Sequence, residues 1–243
     1  MKTTIIVQAR MGSTRLPGKV LQPIQGRTML ERVCRRASRS FLADELLVAT
    51  SASPQDDAIV AECRRIGVPW FRGNEEDVLE RFYLAALSRR TDAVVRVTAD
   101  CPLIDDQIID KVILAMLQSR PDYAANILPR TYPRGLDTEV FTVEALERAW
   151  DQAELPYERV HVTPYFYRHP ELFRLHGVTG SEELGHWRWT VDSADDLAFV
   201  RAVYERLDAD DEFTWHDVRR LLLGEPWLAE MNGHVQQKHL VEG

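Results

Sequence analysis

The sequence predicts an α/β protein with a mainly parallel sheet covered by helices. Two observations carry this expectation. Four apolar or β-branched runs, at Thr3 to Val7, Glu45 to Thr50, Val68 to Phe71 and Asp92 to Thr98, each give way to a segment of helical periodicity. Strands that alternate with helices in this way become parallel neighbours joined by crossovers. The chain is also long enough, at 243 residues and 45% hydrophobic, for one α/β domain with a substantial core, and residues 1–243 are expected to form a single domain.

Each element follows from local chemistry. Thr28-Met29-Leu30-Glu31 has capping-box spacing, and Leu30, Val33, Cys34, Ala37 and Phe41 continue an apolar face, which predicts a helix of about three turns. Ser53 as N-cap, Pro54 at the first helical position and Asp56 in the first turn start a second helix, which Gly67 ends. Asn74 is the expected cap of a third, with Val78, Leu79, Phe82, Tyr83 and Leu87 on its apolar side and Arg81 at the boundary of that face. A fourth, from about Asp106, buries Ile109, Val112, Ile113, Met116 and Leu117.

The middle of the chain changes character. Residues 121–133 read as edge strands and loops, because prolines interrupt Tyr123, Ala125, Asn126, Ile127 and Leu128. Arg134 to Phe141 sets a glycine turn before an alternating strand, and a helix follows through Leu146 to about Trp150. Tyr157 to Tyr167 is aromatic-rich, and Pro164 works against one uninterrupted helix there. With a strand at Leu172 to Val178, residues 121–180 are expected to hold a smaller subregion that covers substrate or mediates dimerisation. Trp187 to Val191 returns to a strand pattern ending in Asp192. Ser193 opens a helix with Leu197, Val200 and Tyr204 inside, and Thr214 with Asp217 has capping-box spacing for a last helix ending near Gly224. The tail from Asn232 is expected to be poorly ordered.

The stretch Gln8 to Lys19, directly after the first strand, concentrates donors: two glycines, the Ser13 and Thr14 hydroxyls, and the cations Arg10, Arg15 and Lys19. Together with backbone N–H groups these suit a polyanion such as a triphosphate. Gly12 and Gly18 permit the backbone to approach it closely. The loop is neither a Walker A motif nor a dinucleotide-binding glycine fingerprint, and a plain basic surface loop has the same composition. Asp100 and Asp192 both follow predicted strands and form the pair selected for Mg²⁺, since a hard cation takes carboxylate oxygens alongside phosphate and water. Capping of a turn by Asp100 and of a helix by Asp192 are the competing roles. In a parallel sheet, ligands collect beyond the carboxyl ends of the strands, which brings the basic loop and Asp100 to one edge.

A net charge of −8 argues against broad nucleic-acid binding. No apolar run is long enough to span a membrane, and Met1-Lys2 leads straight into a strand without a signal-peptide region, so a cytoplasmic protein is expected. Cys34, Cys63 and Cys101 have no paired spacing that would indicate zinc or a disulfide framework, and the first two fall in helical apolar patterns as buried thiols.

Taken together, Gln8-Ala9-Arg10-Met11-Gly12-Ser13-Thr14-Arg15-Leu16-Pro17-Gly18-Lys19 resembles the signature of the sugar-activating cytidylyltransferases. The resemblance is nearest to the spore coat polysaccharide biosynthesis protein F branch, related to the synthetases of CMP-ketodeoxyoctonate and CMP-sialic acids. Thr98 to Asp105 resembles the acidic metal motif of that family, and Trp189-Thr190-Val191-Asp192 the late motif with its second aspartate. Arg72 to Arg81, Pro133 to Phe141 and His161 to Tyr165 extend the likeness through most of the chain. It implies a three-layer, Rossmann-like nucleotidyltransferase fold with a mostly parallel mixed sheet, and Mg²⁺-dependent transfer of CMP from CTP to an acceptor oxygen with release of pyrophosphate.

On this resemblance, Arg10, Lys19, Asp100 and Asp192 are the catalytic set. Ala9, Arg10, Gly12, Ser13, Arg15, Lys19, Arg81, Thr98 and Asp100 bind nucleotide, and Asp100 and Asp192 bind the metal. Arg134, Asp137, Glu139 and His161 line the acceptor side, for which turn pairing, a helix-face charge or a core histidine are alternatives. The implied acceptor is an acidic sugar or a small hydroxy or phosphonate acid, and the implied assembly a homodimer with Tyr157 to Tyr167 as candidate contact. Two positions depart from the family pattern: Val160 stands where relatives carry glutamate, and so does Cys101, whose place beside Pro102 suits packing rather than nucleophilic catalysis. A nucleotidyltransferase of other base or sugar-phosphate specificity, a nucleotide-binding regulatory protein without turnover, and a structural dimerisation protein are the alternative functions.

Overall fold

The computed structural model describes residues 1–207 and 210–237. Its strands are Thr3–Gln8 (β1), Pro23–Ile24 (β2), Arg27–Thr28 (β3), Glu45–Ser51 (β4), Trp70–Gly73 (β5), Ala93–Thr98 (β6), Tyr123–Ala125 (β7), Glu139–Thr142 (β8) and Leu175–Gly177 (β9). The α-helices are Met29–Ala37 (α1), Asp57–Ile66 (α2), Val78–Arg89 (α3), Asp106–Ser119 (α4), Val143–Gln152 (α5), Pro156–His161 (α6), Pro164–Arg168 (α7), Ala194–Leu207 (α8), Trp215–Gly224 (α9) and Trp227–Glu230 (α10). Seven strands form one sheet in the order β5, β4, β1, β6, β8, β7, β9. The first four run parallel, whereas β8 is antiparallel to both of its neighbours and so makes the sheet mixed.

Side-chain alternation along the strands builds the three layers. Ile5, Val7, Val95 and Val97 face the helices α1, α2 and α4 through Leu30, Val33, Ile59, Val112 and Ile113. Ile6, Val94 and Phe141 face the other way, onto Leu79 and Phe82 of α3, Leu146 of α5 and Phe166 of α7. A third apolar cluster joins Trp189 and Val191 to Phe199, Val200 and Val203 of α8, and to Ile24, Leu103 and Ile108. Among the described residues no helix is long and apolar enough to cross a membrane.

Local expectations are corrected at several points. Helix α1 stops at Ala37, so Phe41 lies beyond it and is 90% exposed. The third strand begins at Trp70 rather than Val68, because the Val68 N–H closes the end of α2 on the Cys63 carbonyl. Asp77, not Asn74, caps α3, while the Asn74 side chain accepts from the N–H groups of Glu76 and Asp77. Leu87 and Leu117 point outward and are exposed. Residues 121–180 contribute β7, β8 and β9 to the main sheet. Tyr165 and Phe166 pack into the chain's own core against Phe173, which removes them as dimer contacts.

Trp187 to Val191 does not join the sheet. It runs extended beside Arg134, with which it exchanges backbone hydrogen bonds of 3.0 and 2.6 Å. Gly135 makes that approach possible, since at φ +111° a Cβ there would stand 2.6 Å from the Trp189 carbonyl carbon. Asn232, expected to open a loose tail, is 1% exposed and donates to the Arg188 carbonyl and the Asp196 carboxylate.

Asp56 holds the Gln8 to Lys19 loop to the sheet. Rather than serving only the first turn of a helix, its buried carboxylate accepts from Met11 N–H at 2.7 Å, from Ser51 N–H at 3.0 Å and from the hydroxyls of Thr50 and Ser51. Asp56→Ala would strand these buried donors, so urea unfolding should show a loss of at least about 2 kcal/mol, with amide exchange accelerated at Met11.

Candidate active site

The loop after β1 folds on itself before it reaches outward. The N–H groups of Ser13 and Gly18 both donate to the Met11 carbonyl, which uses two of the donors expected to face an anion. Gly18 takes φ +68° and launches a single 3₁₀ turn, Lys19–Leu21. The Lys19 side chain is thereby directed inward, where Nζ donates to Asp100 Oδ2 at 2.7 Å, to Asp192 Oδ1 at 2.8 Å and to the Val191 carbonyl at 2.8 Å.

Three distant segments meet at that nitrogen. Asp100 lies just past the end of β6, as the parallel topology requires, and its Oδ1 accepts from the Thr98 hydroxyl at 2.6 Å. Asp192 arrives because the Val191 N–H donates to the Asp100 carbonyl at 2.8 Å. Asp192 Oδ2 accepts from Arg15 at 2.9 Å and from Arg188 at 2.7 Å. Arg188 is held in turn by Asp196, which also accepts from the Ser193 N–H, while the Ser193 hydroxyl accepts from the Asp196 N–H at the start of α8.

Burial opposes charge on Asp100, but the Lys19 ammonium and hydrogen bonds from Lys19, Thr98 and Cys101 outweigh it and hold the carboxyl at about 2. Asp192 is likewise lowered against its own burial and the repulsion of Asp100, by Lys19 and Arg15. Burial opposes the Lys19 charge too, yet the two carboxylates raise its pKa. Cys101 is buried; its thiol is pushed well up by burial and by Asp100, so it is protonated and packs against Thr98 and Thr190.

A cavity of about 430 Å³ opens over this cluster. Arg10, Ser13, Arg15, Lys19, Thr98, Asp100 and Asp192 line it together with Arg134, Asp137, Glu139 and His161. Asp137 is engaged by Arg130 at 2.8 Å, and Glu139 by Arg96 and by the Tyr123 hydroxyl. His161 is presented by a tight turn in which Val162, at φ +72°, lets the Thr163 N–H donate to the His161 carbonyl at 2.8 Å. Such a three-residue turn is rare and strained for a β-branched residue. Arg10 and Arg134 line the same cavity and make no side-chain hydrogen bond or ion pair to a described residue.

Of the other candidates, Ala9 and Gly12 belong to the loop without lining the cavity, and the Ala9 N–H is spent on the Ala49 carbonyl. Arg81 is 1% exposed, away from the lining, and donates to the carbonyls of Asn74 and Glu75. Several residues that shape the site were not singled out from the sequence. Arg96 stands in a buried valine-rich strand, where a lone cation was a usable signal; Arg188, between two tryptophans, was another. Gln237 lines the cavity and accepts from Arg188 at 2.8 Å, with no local signal to mark it.

The donor set fits a divalent cation. Asp100 Oδ2, Asp192 Oδ1 and the Val191 carbonyl oxygen converge on one cationic position, and hard oxygens of this kind are what Mg²⁺ takes. Among the described residues no group of three or more acidic, histidine or cysteine side chains gathers to hold a metal. Two carboxylates are the complement for a cation that shares phosphate and water ligands.

Similarity to known proteins extends over most of the chain. A family model described as Cytidylyltransferase matches residues 4–209. An uncharacterised protein of Methanocaldococcus jannaschii is 37% identical over 243 residues, covering 98% of this chain and 97% of that protein. The spore coat polysaccharide biosynthesis protein SpsF of Bacillus subtilis is 32% identical over 213 residues, covering 83% and 85% of the two chains. A solved structure of a cytidylyltransferase from Leptospira borgpetersenii superimposes with a TM-score of 0.91 at 32% identity, covering 98% of this chain and all of that one.

The depressed carboxyls make an acid-side prediction. A group with a lowered folded pKa stabilises the protein above its unfolded value and loses that contribution as pH falls through the folded value. For Asp100 the window runs from about 4, the ordinary aspartate range, down to about 2. Urea midpoints measured across that window should fall for the native protein and fall less steeply for Asp100→Asn.

Proposed function

We propose, from the premise that this chain belongs to the cytidylyltransferase family, that it transfers CMP from CTP to a small acid acceptor and releases pyrophosphate. The observation that carries this is the cavity in which a cationic loop, a carboxylate pair and two guanidinium groups without a side-chain partner among the described residues come together. The ionised acceptor oxygen, its proton released to solvent, bonds to the α-phosphorus as the bond to pyrophosphate breaks, and the negative charge departs on the pyrophosphate. Arg10, Arg15 and Lys19 bind the phosphates, and Ser13 and Thr98 border the nucleotide. Asp100 and Asp192 would hold Mg²⁺, which when bound supplies charge compensation to the phosphates.

Acceptor binding falls to Arg134, Asp137, Glu139 and His161, which line the same cavity. The acids there are already compensated, Asp137 by Arg130 and Glu139 by Arg96. Arg134 is the guanidinium left without a side-chain partner among the described residues, partly buried, its pKa lowered by that burial and by neighbouring Arg130. A carboxylate or phosphonate on the acceptor would meet it with paired N–H bonds. His161, held by its turn, completes that group. Positioning and fixed charge supply the acceleration, as in phosphoryl transfer generally. The likeness to SpsF supports placing the chain near that branch, among acceptors of polysaccharide synthesis. We take the working unit to be a cytoplasmic homodimer, for which family membership is the support.

The test is a matrix of nucleoside triphosphates against acidic sugars, hydroxy acids and phosphonates, read by pyrophosphate release with Mg²⁺. CTP with one class of acid should stand out; no acceptor-dependent pyrophosphate from any pair would reject the reading. With that pair in hand, Arg134→Ala should raise the acceptor KM about 10- to 100-fold, a loss of about 1.4–2.8 kcal/mol, and leave calorimetric CTP affinity unchanged.

A further inference from the structure

The charges around the carboxylate pair balance without any metal. Asp100, Asp192 and Asp196 meet Lys19, Arg15 and Arg188, cation for anion. The three cations differ in how they are held. Arg188 is buried, grips Asp196 as well as Asp192, and is fixed by Gln237. Lys19 and Arg15 both come from the Gln8 to Lys19 loop, and Lys19 is a point charge on a flexible stem. Besides the Asp192 carboxylate, Arg15 donates only a 3.4 Å hydrogen bond to the Gln236 carbonyl among the described residues.

A divalent cation added to this neutral cluster would meet an ammonium already seated among the same three oxygens. If Lys19 and Arg15 withdraw, Asp100, Asp192 and Asp196 face Arg188 alone, and the deficit is two charges, the charge of one divalent cation. The two withdrawn cations are the ones that the loop would offer to a polyphosphate. We propose that Lys19 and Arg15 are exchangeable counter-ions: they neutralise the Asp100–Asp192 pair in the nucleotide-free protein and leave together when one divalent cation takes their place. Divalent cation and polyphosphate then bind cooperatively, because each is penalised without the other. A cation alone displaces Lys19 with nowhere anionic for it to go, and a polyphosphate alone draws the loop cations away and leaves two carboxylates unneutralised. By linkage, each ligand raises the affinity for the other by the same factor.

This rests on the anion-loop role given to Lys19 and Arg15 above, but its test needs no nucleotide, so a failure of CTP turnover and a failure here are separate results. Mn²⁺ is titrated into the full chain without nucleotide, and free Mn²⁺ is read by electron paramagnetic resonance and binding heat by calorimetry. Lys19→Met should take up one Mn²⁺ per chain at least tenfold more tightly than the native protein, and Arg15→Met should shift affinity in the same direction. A lysine that merely braces the fold would move affinity the other way, since loosening the site weakens metal binding. Adding Asp100→Asn to Lys19→Met should abolish the gain. Equal or weaker Mn²⁺ binding by Lys19→Met, or a gain that survives Asp100→Asn, overturns the proposal. Should Lys19→Met not fold, the native protein decides alone: saturable uptake of one Mn²⁺ at micromolar concentration overturns exchange, and none at that concentration supports it.

Discussion

The Lys19 ammonium is the point on which the site turns, because it ties together three parts of the chain with no local reason to meet. Asp100 sits past the fourth parallel strand, Asp192 at the end of an extended segment outside the sheet, and Lys19 at the close of the first loop. Burying one cation against two carboxylates is costly unless the remaining lone pairs and protons are satisfied. Here they are: Thr98 serves the second oxygen of Asp100, Arg15 and Arg188 serve Asp192, and the Val191 carbonyl takes a further Lys19 proton. The arrangement pulls the loop down, brings the 187–192 segment against β6, and leaves the cavity open above.

Two groups of residues lining that cavity are built on different electrostatic terms. On the loop side the carboxylates outnumber no cation and are held ionised by them. In the second group, Arg130 and Arg96 already engage Asp137 and Glu139, so neither acid is left with a free charge. Among the described residues that line the cavity, Arg10 and Arg134 stay uncompensated. The backbone that carries them is anchored at Met11, whose N–H donates to Asp56, and at the Gly135 crossing of the 187–191 segment.

Most of the central sheet was legible in advance, since β1, β4 and β6 carry largely apolar, β-branched runs bounded by turns. The errors have local causes. Phe41 continued a periodic pattern past the point where the helix ends, and Asn74 had the composition of a cap while Asp77 had its geometry. Trp187 to Val191 alternates like a strand, yet it pairs with Arg134 outside the sheet because Gly135 allows that close approach. Arg81 looked like a residue at a face boundary, whereas its guanidinium is consumed by the carbonyls of the preceding turn.

The sequence by itself determined the α/β class, the donor-rich loop after the first strand, and the position of Asp100 past a parallel strand's carboxyl end. Those features depend on periodicity, residue chemistry and connection rules that act over a few residues. Only the tertiary structure decided which charges neutralise one another: that Lys19 lies between Asp100 and Asp192, that Arg96 and Arg130 engage Glu139 and Asp137, and that Gln237 borders the cavity. Pairing of charges is a matter of ångströms between side chains far apart in sequence, and no local pattern encodes that distance.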